Sequence, residues 1–244
     1  MNAAKQYIRE IKRLIEAVEN TQSAQMESAA ELIADALAGD GYVFTFGTGH
    51  SHILAEEIFY RAGGLVRVCP ILEDSLMLHR AAAASSQLER VTGLASVLLD
   101  DVDAIKMGGV MLLFSNSGCN TVAVEMAEEA RARGLKTVCI TNLTHAARSR
   151  SRHPAGRKLC EVCDVVIDNK GCYGDAAITV GDAITGATST VIGSMILQAL
   201  VCRGIELAQA RGAIPEVFQS ANTVGGDEAN EKYIQQYKGT IRSL

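Results

Sequence analysis

The 244-residue chain lacks any uninterrupted apolar run near the ~18 residues that span a bilayer, and its start, Met1-Asn-Ala-Ala-Lys-Gln-Tyr7, lacks a signal-peptide core. These two absences predict a cytoplasmic protein with no membrane partner. An excess of positive charge is also missing: 23 Lys and Arg stand against 28 Asp and Glu, a net charge of -5. That balance argues against a nucleic-acid-binding face, and no helix-turn-helix segment is legible. Internal repeats and low-complexity tracts are absent as well, so the length fits one large domain or a domain with added helices. The seven cysteines are an odd number, and most lie in apolar or helical settings, as Cys69, Cys139 and Cys202 do. They predict buried reduced thiols and no disulfides.

What is present centres on Gly109-Val-Met-Leu-Leu-Phe-Ser-Asn-Ser-Gly-Cys-Asn-Thr121. The apolar run 110–114 has the length of a strand buried on both faces. Ser115, Asn116, Ser117 and Gly118 then make a polar turn, and residues 122–133 read as a helix. The first amides of a helix have no internal partner and lie at the positive end of its dipole, so serines beside them make a place for an anion such as phosphate. An ordinary helix N-cap has the same composition, and this piece alone does not separate the two readings. A second stretch repeats the pattern: strand 42–46, then Gly47-Thr-Gly-His-Ser51, then a helix over 52–62. Two such loops at the ends of parallel strands can close on one ligand.

The ordered pair resembles the SIS (sugar isomerase) domain, a phosphosugar-binding family whose first loop reads Gly-x-Gly-x-Ser and whose second reads Ser-x-Ser-Gly-x-Thr. Here these are Gly47-Thr48-Gly49-His50-Ser51 and Ser115-Asn116-Ser117-Gly118-Cys119-Asn120, with Asn120 where many members have Thr. The resemblance covers most of the chain and is strongest to a little-characterised branch of bacterial single-domain members. It implies a flavodoxin-like fold, a sugar phosphate ligand held by Gly47, Thr48, Gly49, Ser51, Ser115, Asn116, Ser117, Gly118 and Asn120, and a homodimer or higher homo-oligomer. SIS domains also form the sensor halves of transcription regulators, and no DNA-binding segment is expected here.

The remaining segments fit an α/β chain. Residues 3–18 and 23–37 each carry apolar residues at helical spacing and predict an N-terminal helical pair over 1–40, ahead of the phosphosugar-binding domain over 41–244. Gly39-Asp-Gly41 ends the second helix. Strands are expected at 65–69, 136–141 and 165–168, with two short helices in the long connection 71–106. Residues 184–210 predict one long buried helix and 229–238 a final one. Strands alternating with helices imply a doubly wound parallel five-stranded sheet whose ligands bind at the strands' carboxyl ends.

Isomerising a sugar phosphate needs a base that moves a proton between neighbouring carbons. Glu57, on the helix after the first loop, is the expected base; a surface carboxylate paired with Arg61 is the bland alternative. The resemblance supports a glutamate, as in phosphoheptose isomerase and N-acetylmuramic acid 6-phosphate etherase. His50, inside the first loop, and His153, in a loop with Arg148, Arg150, Arg152, Arg157 and Lys158, are the expected histidines. That basic loop either gathers an anionic sugar or is a solvated surface loop. Glu89 and Arg90 reach the crevice only if the connection 71–106 folds over it. Asn222, Asp227 and Glu228 form a polar tail cluster that would close over the site. Cys160 and Cys163 form a Cys-x-x-Cys, which reads as zinc ligands or as two positions one helical turn apart; no metal and no cofactor are expected. The expected activity is aldose-ketose isomerisation of a sugar phosphate or amino-sugar phosphate. The alternatives are a non-catalytic phosphosugar sensor and a phosphosugar lyase, etherase or deaminase.

Overall fold

A computed structural model describes residues 2–244. Its centre is a five-stranded parallel sheet of β1 (Tyr42–Gly47), β2 (Val68–Pro70), β3 (Gly109–Phe114), β4 (Lys136–Thr141) and β5 (Val165–Asp168), in the order β2-β1-β3-β4-β5. β1 and β3 pair along their whole lengths, from Tyr42 opposite Gly109 to Gly47 opposite Phe114. Successive side chains of a strand point to opposite faces, so each strand feeds two cores. Val110, Leu112 and Phe114 join one layer with the long helices α1 (Ala3–Ala38) and α8 (Ser189–Ala210) and the short α2 (His52–Glu57). Met111 and Leu113 join the other, with α4 (Leu94–Asp100), α5 (Thr121–Ala132) and α7 (Leu159–Val162). This is the doubly wound fold that the sequence predicts, the long C-terminal helix included. By length and hydropathy α8 could also cross a membrane; here Ile192, Ile196, Leu197 and Leu200 are buried in the shared core.

The N-terminal helical pair is not formed. Residues 3–38 make one helix, about 54 Å long at 1.5 Å per residue. The polar segment Asn20-Thr-Gln-Ser23 contains no glycine or proline, and its hydroxyls satisfy themselves within the helix: Thr21 Oγ1 donates to Ala17 O and Ser23 Oγ to Glu19 O, both at 2.6 Å. Gln22 is buried, and its Oε1 accepts from Asp168 N at the end of β5 at 2.9 Å. The break read from polarity is thus the place where α1 crosses the carboxyl edge of the sheet.

Four further boundaries differ from expectation. α2 stops at Glu57, and Tyr60 stands at a left-handed φ of 42°. The second strand begins at Val68 and includes Pro70, which an edge strand tolerates. Residues 176–187 form an antiparallel hairpin, β6 (Ala176–Val180) and β7 (Ala183–Ala187), so the long helix starts at Ser189 and not at residue 184. The last helix, α9, is Gly226–Tyr237. The connection between β2 and β3 holds α3 (Leu78–Leu88) and α4, as the two expected helices, and α6 (Leu143–Arg148) follows β4.

Candidate functional site

In this strand order β1 and β3 are neighbours whose chains continue to opposite sides of the sheet, which opens a crevice at their carboxyl ends. Both polar loops lie there. After β1 the chain turns so tightly that a Cβ on Gly47 would stand 2.4 Å from Ser51 O, so only glycine fits. A 3-10 turn over Gly49–Ser51 then leads into α2. The turn is braced by His52, whose buried ring has Nδ1 3.3 Å from Gly47 O and Nε2 3.3 Å from a carboxylate oxygen of Glu56. Burial pushes the His52 pKa down, against the opposing pull of Glu56.

After β3, Ser115 is buried and its Oγ accepts from Gly118 N at 3.1 Å, while Gly118 takes a φ of 60° beneath Thr141. Ser117 Oγ accepts from Cys119 Sγ at 3.2 Å. Asn120 is the residue before α5, yet its side chain does not cap that helix. Its Oδ1 instead accepts from an Arg152 guanidinium nitrogen at 2.7 Å. The main chain of Arg152 is stitched to the same loop, donating to Cys119 O at 2.8 Å and accepting from Thr121 Oγ1 at 2.9 Å. Among the described residues, the amides of Ser117, Cys119 and Asn120 donate to no protein group. Three free amides, the serine hydroxyls and a guanidinium are thus gathered at one turn, a set of donors whose chemistry suits an anion.

The floor and far wall were not read from the sequence. Asn169 Nδ2 donates to Asn116 Oδ1 at 2.9 Å, and Asn142 Nδ2 donates to Asn169 Oδ1 at 3.0 Å, tying together the ends of β3, β4 and β5. Asp175, at a φ of 62°, accepts from the amides of Thr188 and Ser189 and from both hydroxyls, which occupies the start of α8. Ser51, Ser115, Asn116, Asn169, Ser189 and Thr190 enclose a narrow cleft of about 10 Å³, room for roughly one water. The open volume lies beside it: Ser117 and Cys119 border a basin of about 920 Å³ whose other walls come from Glu89, Arg90, His145, residues 148–152 and Tyr173. The signal for Asn169 was available, since it directly follows a strand on the ligand edge of the sheet.

Glu89 spans both loops. Its Oε2 accepts from Thr48 Oγ1 at 2.8 Å, and its main-chain oxygen accepts from Val122 N in the first turn of α5 at 3.1 Å. The expected base stands elsewhere: one oxygen of Glu57 accepts from Arg61 and, at 3.0 Å, from Gln198 Nε2 on α8. His50 is exposed on the first loop. His153 is buried with Nδ1 accepting from Ala155 N at 3.3 Å and Nε2 3.5 Å from Glu128, so both ring nitrogens are engaged away from the serine loops. Ser51, Ser115, Asn116, Ser117 and Asn120 are therefore brought together at the crevice, while Glu57 and His153 are not. Asn222, Asp227 and Glu228 are exposed, and none lines the cleft or the basin.

Cys160 lies within the single turn of α7 and Cys163 directly follows it. A hydrogen bond with Cys163, which favours the protonated thiol, and burial both push the Cys139 pKa up. Among the described residues no group of three or more His, Cys, Asp or Glu side chains is placed to hold a metal.

Comparison with known proteins agrees with this fold. The SIS domain family model matches residues 6–142, a span that holds both loops. A UPF0309 protein of Geobacillus thermodenitrificans is 42% identical over 241 residues, covering 98% of this chain and 96% of the relative. Among solved structures, a phosphoheptose isomerase from Francisella tularensis aligns with a TM-score of 0.54 at 14% identity, over 86% of this chain and 100% of that one. The Vibrio vulnificus NanR protein complexed with ManNAc-6P aligns with a TM-score of 0.51 at 15% identity, over 86% of this chain and 67% of that one. At such identities these two likenesses speak to the fold alone.

Proposed function

Because the chain belongs to the SIS-domain family, we propose that it binds a sugar phosphate at the paired serine loops and isomerises it between aldose and ketose forms, acting in the cytoplasm as a homodimer. The observation that carries the reading is the loop after β3, where the free amides of Ser117, Cys119 and Asn120 adjoin the Ser117 hydroxyl and the guanidinium of Arg152. A phosphate ester carries about -1.5 to -2 charges near pH 7, and amides with a guanidinium give it short, charge-assisted hydrogen bonds. Ser51 and Ser115 line the narrow cleft beside this turn. The seven free thiols suit a reducing compartment.

Proton transfer in this reading falls to Glu89, with Glu57 held by Arg61 and Gln198. Glu89 lines the basin beside Ser117, and Thr48 fixes one of its oxygens, leaving the other toward the sugar. Its carboxylate takes the proton from carbon 2 and returns it to carbon 1, while the hydroxyl proton passes from oxygen 2 to oxygen 1. His145, in the same basin, has its pKa lowered by burial, and its Nδ1 accepts from Gly174 N at 3.1 Å. It is neutral near pH 7 and presents Nε2–H as a donor.

The test is proton NMR in heavy water with a pool of pentose, hexose, heptose and amino-sugar phosphates. Loss of one sugar's carbon-2 signal, with the appearance of its isomer, is expected for the natural chain. Glu89→Gln should abolish exchange by at least about a hundredfold while line broadening of the same sugar persists. Broadening without exchange in the natural chain would overturn the isomerase and leave a phosphosugar sensor.

A further inference from the structure

The basin beside the phosphate loop holds more positive charge than one phosphate ester requires. Arg90, Arg148, Arg150 and Arg152 face it against one carboxylate, Glu89. The chain as a whole is acidic, and its other arginines mostly have acidic partners: Arg61 pairs with Glu57, Arg133 with Asp100 and Glu129, Arg157 with Glu128, and Arg211 with Glu31 and Asp35. Among the described residues, none of the four basin arginines pairs with a carboxylate. Like charges gathered in a concave site raise the local potential and draw anions into it.

The arginine-bearing segment is fixed in place. Arg152 N donates to Cys119 O and Leu159 N to Gly118 O, both at 2.8 Å, so the chain that follows Arg148 and Arg150 is bound to the serine turn at two points. The two halves of the segment are also tied together, with Ser151 Oγ donating to Arg157 O at 2.5 Å and Lys158 Nζ to Ala146 O at 2.6 Å. One wall is a stack: the His145 and Tyr173 rings lie 5.0 Å apart, and the Arg148 guanidinium lies 5.6 Å from the Tyr173 ring centre. This packing holds Arg148 on the basin wall although the side chain is exposed.

Arg152, bound to Asn120, serves the first phosphate. Arg90, Arg148 and Arg150 remain. The volume, about 920 Å³, lies within the roughly 300–1,000 Å³ typical of small-ligand sites. We infer that the basin takes a second anionic group, a carboxylate or a second phosphate, at the end of the sugar away from the first phosphate, so that the ligand is a doubly anionic sugar. This deepens the phosphosugar reading above and rests on it.

Calorimetric titration tests it with fructose 6-phosphate, fructose 1,6-bisphosphate and 6-phosphogluconate, the last two adding a phosphate or a carboxylate at the far end. At least one doubly charged probe is expected to bind about tenfold or more tighter than fructose 6-phosphate. In the exposed double variant Arg148→Gln/Arg150→Gln that advantage should fall below about threefold, with the Kd for fructose 6-phosphate unchanged. Equal affinities for single and double anions in the natural chain would overturn the inference and leave the phosphosugar reading standing. An advantage that survives in the double variant would also overturn it, by placing the second anion elsewhere. Failure of all three probes to bind would overturn both readings, and a Ser115→Ala/Ser117→Ala variant that loses all three together would confirm that binding runs through the serine loops.

Discussion

A strand followed by a hydroxyl-rich turn and a helix is a local pattern, which is why Ser51, Ser115 and Ser117 were legible in the sequence. Glu89 was legible only on the condition that the connection 71–106 folds over the crevice: it reaches Thr48 from 41 residues away, across a connection whose packing no local spacing reports. Nor does spacing reveal that His52, one residue into a helix, is buried against Gly47 O. That burial has a consequence for stability. A histidine whose folded pKa is depressed binds fewer protons in the folded chain than in the unfolded one, where it titrates near pH 6.5. Its contribution is therefore intact above about pH 6.5 and is lost as pH falls below that value, until the folded ring protonates too. Glu56 and His79 face the ring and modulate the effect in opposite senses, and His145, also depressed by burial, adds to it. Thermal melts at pH 7 and pH 5 should show a drop in Tm for the natural chain. His52→Gln should start lower at pH 7, having lost the contact with Gly47 O, but fall less over the interval; an unchanged slope would remove His52 as a source.

The elements with one dominant period were read correctly from pattern, as β1, β3 and α5 show. Those with mixed signals were not. Asn20-Thr-Gln-Ser23 looks like a turn because its side chains compete for backbone groups, but each finds an intrahelical or tertiary partner and α1 continues. Residues 184–187 look like the start of the long helix by apolar content, yet Gly181 and Gly186 take positive φ and residues 176–187 fold as a hairpin against Tyr7. The bond from Asp168 N to Gln22 is what sets α1 against the ligand edge of the sheet, and both groups are buried. Gln22→Ala leaves that amide without its acceptor and should cost about 1–3 kcal/mol, read as a lower urea midpoint with an unchanged slope. A loss under about 0.5 kcal/mol would mean that the bond does not fix the helix, a threshold set by ordinary surface substitutions.

At the scale of the whole molecule, α1 and α8 cover one face of the sheet and leave a groove between their outer sides. Ile15, Val18, Met26, Met195, Ala199 and Leu200 line about 500 Å³ of it, with Glu19, Glu27 and Arg203 at its rim. Arg203 bridges Glu27 on α1 and Glu206 on its own helix, so the rim carries both signs of charge beside an apolar centre. A surface of that kind is self-complementary under two-fold symmetry and suits a second copy of the chain. It also bears on the crevice, because α8 contributes Ser189 and Thr190 to the cleft, Gln198 to Glu57, and Met195 to the groove within four turns. The proposed homodimer would therefore order the helix that closes the far wall of the ligand site. Sedimentation should find twice the chain mass at micromolar concentration and a Tm that rises with concentration, as mass action requires of a coupled assembly. Met195→Glu places a charge in the apolar centre and should yield a monomer with weakened sugar phosphate affinity. A natural chain that sediments at single mass would assign the groove no second copy, and a monomeric variant that binds with full affinity would show that the site is complete within one chain.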